Sequence, residues 1–355
     1  ARLWYSECGG VEHQEAAVWG WRRSAARQRV GTMGEAGRPR ETARLWYSEA
    51  NSPHYDVQLS LKKVLFEGQS EFQKVQVIET EQFGKTLVLD GKTQSALFDE
   101  FMYHETLVHP AMLLHPEPKA VYIGGGGELA TAREVLRHPT VEECIMVDLD
   151  ETVVKICKKE LPEWGKGCTE DARLKVVYDD AHAYLKQHEG MFDVIILDIA
   201  DPIEAGPGIV MYTQEFYKYA ASKLNPGGVL VTQSGACSLY NFEECFTAIY
   251  KTLCASFDHV KGYRVDIPSF AGCWGFNLAY NLPKETDEQE LAQYDNWSPE
   301  RVDRAIAARF GDAASELRFY DGVTHRGLFG LPKPIREGMA REERIITEAN
   351  PVFMY

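Results

Sequence analysis

The spacing of apolar residues changes its rhythm twice along this chain. Between Tyr55 and about Leu97, short runs alternate apolar and polar residues and are broken by glycine: LKKVLFEG, FQKVQVIETEQFG and KTLVLDGKTQSAL, with turns at Gly68, Phe83-Gly84 and Asp90-Gly91. A period of two predicts half-buried strands, here a small antiparallel β-domain. Tyr103, Leu107 and Ala111 then recur at four-residue steps, which predicts a helix over residues 99–114 that Pro116 and Pro118 close off. From Lys119 the runs become continuously apolar: AVYIG, CIMVDLD, LKVVYDD, DVIILDIA and GVLVTQ, with patterned helices among them, for example at 130–138, 151–161 and 214–224. Strands that are apolar on both faces and alternate with helices predict a parallel, doubly wound α/β sheet. VKGYRVDIP and WGFNLAYN follow with no helix between them and predict an antiparallel hairpin at one edge. Beyond Pro283 the chain turns acidic and then helical, over 299–310 and around 337–348.

These rhythms divide the 355 residues into an N-terminal extension (1–54), a β-strand domain with its linking helix (55–115), an α/β domain (116–285) and a C-terminal helical region (286–355). The extension is anomalous. Its first 45 residues carry eight arginines, no lysine and five acids, and its opening ARLWYSE recurs at 43–49, so it is expected to be disordered or partly artefactual, with Met33 offering an alternative start. The remainder is strongly acidic. The whole chain has 53 acidic against 38 basic residues, a formal charge of −15, and the part after residue 45 stands at −18. Such a surface repels phosphate backbones, so nucleic acid is not an expected partner. No run approaches the ~18 apolar residues of a membrane helix. Eight scattered cysteines, without a CxxC pair or a Cys/His cluster at zinc spacing, point to a reducing, cytoplasmic setting and to no metal.

Seven strands ending in a hairpin is the arrangement of a class I methyltransferase-like (Rossmann-like) sheet. Ligands of open α/β sheets bind beyond the carboxyl ends of the strands, where strand order reverses. The first of these strands ends in Gly124-Gly125-Gly126-Gly127-Glu128. Consecutive glycines let a ligand approach the backbone, but the spacing is not GxGxxG and a carboxylate at 128 repels a pyrophosphate. The second ends in Asp148-Leu149-Asp150, where an acid can accept from both ribose hydroxyls or cap the following helix. The third ends in Asp179-Asp180-Ala181, which offers a carboxylate to an adenine amino group, Asp179 being the better candidate for a helix cap. No phosphate-binding lysine or arginine joins these acids, a pattern suited to a nucleoside without phosphate such as an S-adenosyl compound. The fourth strand ends in Asp198-Ile199-Ala200-Asp201-Pro202. Two acids three residues apart suit a polyammonium ligand, because each buried cationic amine needs a carboxylate. From spacing alone, a plain Asx turn reads equally well.

Taken in order, LVLDGKTQSALFDEFMYHE, the GGGE loop, DLD, DA, DIADP and VTQ resemble the motifs of the aminopropyltransferases, the spermidine, spermine and thermospermine synthases, from about Trp46 to the C-terminus. Tyr103-His104-Glu105, the stretch from Asp198 to Pro202, and Ile267-Pro268-Ser269-Phe270 with Trp274 nearby resemble the plant thermospermine type. Typical spermidine synthases carry YQE, DSSDP and a tyrosine at those places. Leu129 departs from both types, standing where glycine is usual. The resemblance implies that Gln73, Gly125, Gly126, Glu128, Asp148, Asp180 and Ala181 bind decarboxylated S-adenosylmethionine. Within that set Asp148 would take the ribose, Asp180 the adenine edge and Glu128 the aminopropyl ammonium. It implies Asp198 as catalytic acid/base, with Tyr103, His104, Asp201, Gln233 and Phe270 along a polyamine channel. It also implies a small-molecule polyamine acceptor, expected to be spermidine giving thermospermine, no permanently bound cofactor, and a dimer or tetramer formed through the β-domain.

The implied reaction is a direct displacement at the methylene beside a sulfonium. An ordinary amine and an ordinary aspartic acid differ by ~6.5 pKa units, or ~9 kcal/mol, so a full transfer between them is strongly uphill. Asp198 is therefore expected chiefly to aim the nitrogen while its proton leaves through Tyr103 or a water. The alternatives are spermidine or spermine synthesis by the same chemistry, a small-amine N-methyltransferase using S-adenosylmethionine, whose carboxylate would meet Glu128, and a catalytically dead binding protein.

Overall fold

A computed structural model describes residues 45–202, 208–281 and 293–354. The arginine-rich leader and the first ARLWYSE copy lie outside the described residues, as does Cys8. Five strands, β1 (Leu45–Ser52), β2 (Tyr55–Gln69), β3 (Lys74–Thr80), β4 (Gly84–Leu89) and β5 (Lys92–Ala96), form an antiparallel meander in chain order. The turn between β4 and β5 places both Asp90 (φ 48°) and Gly91 (φ 79°) in the left-handed region, the geometry an Asp-Gly hairpin favours. β1 corrects the expected boundary at residue 54. It is paired to β2 from Leu45↔Leu61 to Ser52↔Tyr55. It carries little apolar signal because main-chain pairing holds it, aided by Tyr47, whose hydroxyl donates to Gly91 O at 2.8 Å, and by Glu49, which accepts from Thr93 N and Oγ1.

Helix α1 (Glu100–Leu114) follows and is buried on nearly every face, including the polar Glu100, His104 and Glu105. The four-residue repeat marked only one of the surfaces it buries. Its other faces are covered by the C-terminal region: Tyr294 donates to Pro110 O at 2.7 Å, and Glu105 accepts from the backbone N–H groups of Arg318, Phe319 and Tyr320 at 2.8–2.9 Å. The segment expected to stand apart as 286–355 therefore shares a core with α1 through α8 (Pro299–Phe310) and α9 (Gly322–Leu328). The helix expected around 337–348 instead spans Lys333–Arg341 (α10). After it the backbone is extended, which carries Ile346 into the core and lets its N–H donate to Thr252 Oγ1.

The second sheet contains β6 (Ala120–Gly125), β7 (Glu143–Asp148), β8 (Leu174–Tyr178), β9 (Phe192–Asp198), β10 (Leu224–Ala236), β11 (His259–Ile267) and β12 (Gly272–Tyr280), in the order β11-β12-β10-β9-β6-β7-β8. β8 to β10 are parallel, and β12 runs antiparallel to both β10 and β11, which is the expected edge hairpin. The intervening helices are α2 (Ala130–Leu136), α3 (Glu151–Glu160), α4 (Pro162–Gly165), α5 (Ala181–Gln187), α6 (Gln214–Ser222) and α7 (Phe246–Cys254). Val121, Ile123, Cys144, Met146, Val194 and Ile196 are fully buried within it, as strands covered on both faces require. Strand order reverses between β6 and β9, where Gly125 pairs with Asp198. That point opens the cleft. Among the described residues no cysteines are joined, and no helix is long and apolar enough to cross a membrane.

Candidate active site

The cleft at the carboxyl ends of β6, β7 and β9 is roofed by residues of β1, β4 and β5 and floored by the turn before β12. Its described lining includes nine carboxylates, at Glu49, Asp90, Glu128, Asp148, Asp150, Asp180, Asp198, Asp201 and Glu244, and one basic side chain, Lys92. Gln73, Gly125, Gly126, Glu128, Asp148, Asp180, Ala181, Tyr103, Asp198, Asp201, Gln233 and Phe270 all face this one hollow. Among the described residues no group of three or more His, Cys, Asp or Glu is placed to hold a metal ion.

The glycine loop is shaped by crowding. A Cβ on Gly125 would stand 2.1 Å from the Asp198 carbonyl oxygen, and one on Gly127 would stand 2.7 Å from Asp148 Oδ2. Only glycine allows β6 and β9 to close this tightly at the reversal. Leu129 adopts φ 76°, the left-handed conformation that the usual glycine would take freely. Its side chain is 3% exposed within the main core, and that burial offsets a backbone cost of about 1–2 kcal/mol.

On the nucleoside side, Asp148 accepts from Asp150 N at 2.8 Å, and burial pushes its carboxyl up to about 6. Asp150 is the cap of α3: Oδ1 accepts from Thr152 N and Val153 N, while Oδ2 accepts from Ser70 Oγ at 2.6 Å and Gln73 Nε2 at 3.1 Å. Thus both acids of the Asp-Leu-Asp string border the cleft, but only Asp150 also caps a helix. At the next strand end Asp180, rather than the expected Asp179, caps the helix, accepting from His182 N and Ala183 N through Oδ1. Asp179 instead accepts from Asp180 N. Two-residue and three-residue reach to the first free N–H groups decides which neighbour caps.

Glu128 sits between two partners. Oε2 accepts from Ser95 Oγ at 2.6 Å, and Ser95 is itself fixed by Trp164 Nε1 at 2.8 Å. Oε1 lies 2.6 Å from His104 Nε2, an ion contact whose angle is poor for a hydrogen bond. Contrary to the expectation from the motif, His104 does not line the channel; it is fully buried behind Glu128, because α1 turns that face inward. Its Nδ1 approaches Glu100 O and Oε2 at 2.6 and 3.1 Å. Burial opposes the charged ring, but Glu100 and Glu128 outweigh it and raise its pKa to about 10.

At the other end Asp198 Oδ1 accepts from the Tyr103 hydroxyl at 2.9 Å, and Oδ2 accepts from Thr131 Oγ1 at 2.5 Å. Burial and the adjacent Asp198 charge hold the Tyr103 phenol protonated, well above its ordinary pKa. Asp201 accepts from Gln233 Nε2 at 3.0 Å, and burial raises its carboxyl to about 6. Gln233 Nε2 also approaches Ile199 O and Tyr212 Oη, and its Oε1 accepts from Gly235 N and Trp274 Nε1. Phe270 packs edge-on to Tyr103 (6.0 Å) and Trp274 (4.9 Å), on a turn tied down by Asp99, which accepts from Ser269 N and Oγ. Thr131, Ser95, Tyr212 and Asp150's link to Gln73 escaped the sequence reading. Thr131 alone carried a usable signal, three residues beyond Glu128 at the start of a helix.

Two family models match the chain: the spermine/spermidine synthase domain over residues 100–289 and the spermidine synthase tetramerisation domain over 45–96. A polyamine aminopropyltransferase of Aeropyrum pernix is 43% identical over 310 residues, 87% of this chain and 95% of the relative. Thermospermine synthase ACAULIS5 of Arabidopsis thaliana is 38% identical over 311 residues, 87% of each. Among solved structures, a spermidine synthase in complex with the transition state analogue AdoDATO superposes with TM-score 0.74 at 30% identity, covering 87% of this chain and 99% of that one. A spermidine synthase of Thermotoga maritima gives 0.72 at 29%, covering 87% and 98%. With 87% of this chain and 95% of the Aeropyrum relative aligned, a matching model over more than half the sequence and the carboxylate-walled cleft at the strand reversal, the chain belongs to the spermine/spermidine synthase family of polyamine aminopropyltransferase enzymes.

Proposed function

We propose that this enzyme transfers the aminopropyl group of decarboxylated S-adenosylmethionine to spermidine, giving thermospermine and 5′-methylthioadenosine. The observation that carries this reading is the charge of the cleft, nine carboxylates against one lysine among the described lining residues. Both substrates are multiply cationic, and each ammonium taken out of water needs an anionic partner. The ribose hydroxyls fit Asp148, the adenine edge Asp180 and Ala181, and the glycines at 125 and 126 the approach of the sulfur-bearing carbon chain. The aminopropyl ammonium fits Glu128, and the acceptor fits the arm between Asp198, Asp201, Gln233 and Phe270. Co-substrate choice is supported by the solved relative bound to AdoDATO, and spermidine by the Arabidopsis relative and the Phe270 variant.

In this mechanism the acceptor nitrogen, unprotonated, attacks the methylene beside the sulfonium. The C–N bond forms as the C–S bond breaks, and the sulfur leaves with its electron pair as a neutral thioether. The positive charge passes to nitrogen, which then loses a proton. Tyr103 already donates to Asp198, so it can accept from the amine while passing its own proton on to Asp198. A phenol held protonated suits that relay and excludes a free phenolate base. Thr131 fixes the second Asp198 oxygen, so two donors set the orientation of the carboxylate at the cleft. Alignment of this kind can contribute ~7–11 kcal/mol to lowering the barrier.

Chromatography of products from decarboxylated S-adenosylmethionine with putrescine, spermidine or norspermidine tests the reading. Thermospermine from spermidine is the expected product; spermine as the main product would move the extension to the other end of spermidine, spermidine as the main product would change the acceptor to putrescine, and S-adenosylhomocysteine from S-adenosylmethionine would overturn the chemistry. The N-terminal sheet supports a further reading, that copies of this chain assemble through β1 to β5 as a homo-oligomer, since those residues match a tetramerisation domain. Sedimentation equilibrium measures it.

A further inference from the structure

His104 is enclosed by charges from several elements. Glu100, one turn earlier on α1, faces Nδ1 with its carbonyl and carboxylate oxygens at 2.6 and 3.1 Å. Glu128, in the loop before α2, faces Nε2 at 2.6 Å. Behind them, Arg133 of α2 binds Glu100 at 2.9 Å and Arg318 stands 3.9 Å from it. Tyr103 packs edge-on to the imidazole at 5.0 Å and reaches Asp198 of β9 through its hydroxyl. Nδ1 has two acceptors and carries a proton in every state, so Nε2 is the nitrogen that titrates.

Both carboxylates that face His104 have a cation beside them before any ligand arrives. Glu100 and Glu128 are matched by Arg133 and the protonated His104, while Arg133's second partner, Glu134, is also paired with Arg137 at 3.1 Å. A carboxylate that is already neutralised attracts an ammonium weakly, and a second cation beside a buried first one is repelled. We propose that docking of the aminopropyl ammonium on Glu128 expels the Nε2 proton of His104, the Glu128 carboxylate turning from the buried imidazole to the ammonium and leaving a neutral ring behind it. The ammonium keeps its three protons and the histidine proton passes to solvent. One cation therefore replaces another on Glu128, and the net charge of the cluster is unchanged. The proposal deepens the assignment of the ammonium to Glu128 and rests on it. His104 thereby becomes a positioning and specificity residue: it makes affinity for a cationic tail rise with pH, while a nucleoside with no cation on its tail is indifferent.

Titration calorimetry of the full-length protein tests this, with decarboxylated S-adenosylmethionine and no acceptor, in two buffers of different ionisation enthalpy between pH 7.5 and 9. The expected result is release of about one proton per molecule bound and an affinity that rises by up to about tenfold per pH unit. 5′-Methylthioadenosine, which lacks the ammonium, should release none. In His104→Gln the release and the pH slope should vanish while methylthioadenosine still binds, which also shows that the variant folds. Tight binding by the wild type without proton release, or equal release by His104→Gln, would overturn the exchange. Equal affinity of wild type and Glu128→Gln for decarboxylated S-adenosylmethionine would instead overturn the placing of the ammonium, and the exchange with it.

Discussion

The two ends of the cleft use carboxylates in opposite ways. At the Glu128 end each anion has a cation beside it, since His104 and Arg133 hold Glu128 and Glu100. At the Asp198 end the close partners are neutral: Tyr103 and Thr131 donate to Asp198, and Gln233 donates to Asp201. At Asp201 burial outweighs the Gln233 hydrogen bond and the more distant Lys92 charge, and raises the carboxyl to about 6. The difference teaches that an acidic cleft is not a uniform field. One end is set to exchange a proton for a ligand cation, and the other holds an excess of negative charge for cations to neutralise.

The comparison predicts a ranked set of effects. Asp198→Asn should have the largest, lowering turnover by ~10²–10⁴ while methylthioadenosine binding persists; methylthioadenosine release and calorimetry measure the two separately, and near-native turnover would remove Asp198 from the chemistry. Asp201→Asn should act on the acceptor, raising its KM by roughly 10- to 100-fold, as loss of one charge-assisted contact does. In the empty protein the same substitution should stabilise. A carboxyl with a raised folded pKa costs nothing below about pH 4 and its full amount above about pH 6, so Asp201→Asn should be more stable than wild type at pH 8 by up to about 3 kcal/mol in urea unfolding.

His104 gives the opposite sign. Its folded pKa is raised, so its contribution is complete below about pH 6.5 and is lost as pH climbs through about 10. The unfolding free energy of the empty wild type should therefore fall between pH 7 and 10 more steeply than that of His104→Gln. Leu129→Gly should have a smaller effect, a net loss of about 1–3 kcal/mol, because relief of the positive φ only partly offsets the loss of a buried leucine. Phe270→Tyr should have the smallest, a change of less than about tenfold in the preference between putrescine and spermidine, read from kcat/KM, since the ring's packing on Tyr103 and Trp274 is kept.

Much of this was legible before any coordinates. The parallel sheet followed from continuous apolar strands alternating with helices, and its antiparallel edge followed from the missing helix before WGFNLAYN. Strand-end acids marked the cleft because the fold sends every one of those ends to the same side. Other features had no local signature. β1 is held by pairing rather than by an apolar face, and α1 is buried from directions that no single repeat encodes. The capping role fell to Asp180 rather than its neighbour, a choice made by backbone direction at one residue.

By itself the sequence determined which chemistry is present: acids without phosphate-binding bases at four successive strand ends, and a glycine loop with room for a ligand. Only the tertiary structure decided how those charges are shared. His104 reads in the chain as a channel residue, yet packing turns it away from the hollow and against two carboxylates, where it meets Glu128 across 23 intervening positions. Residue type can be read one letter at a time. Electrostatic balance depends on distance and burial, and those arise only once α1, the glycine loop and α2 close on one another.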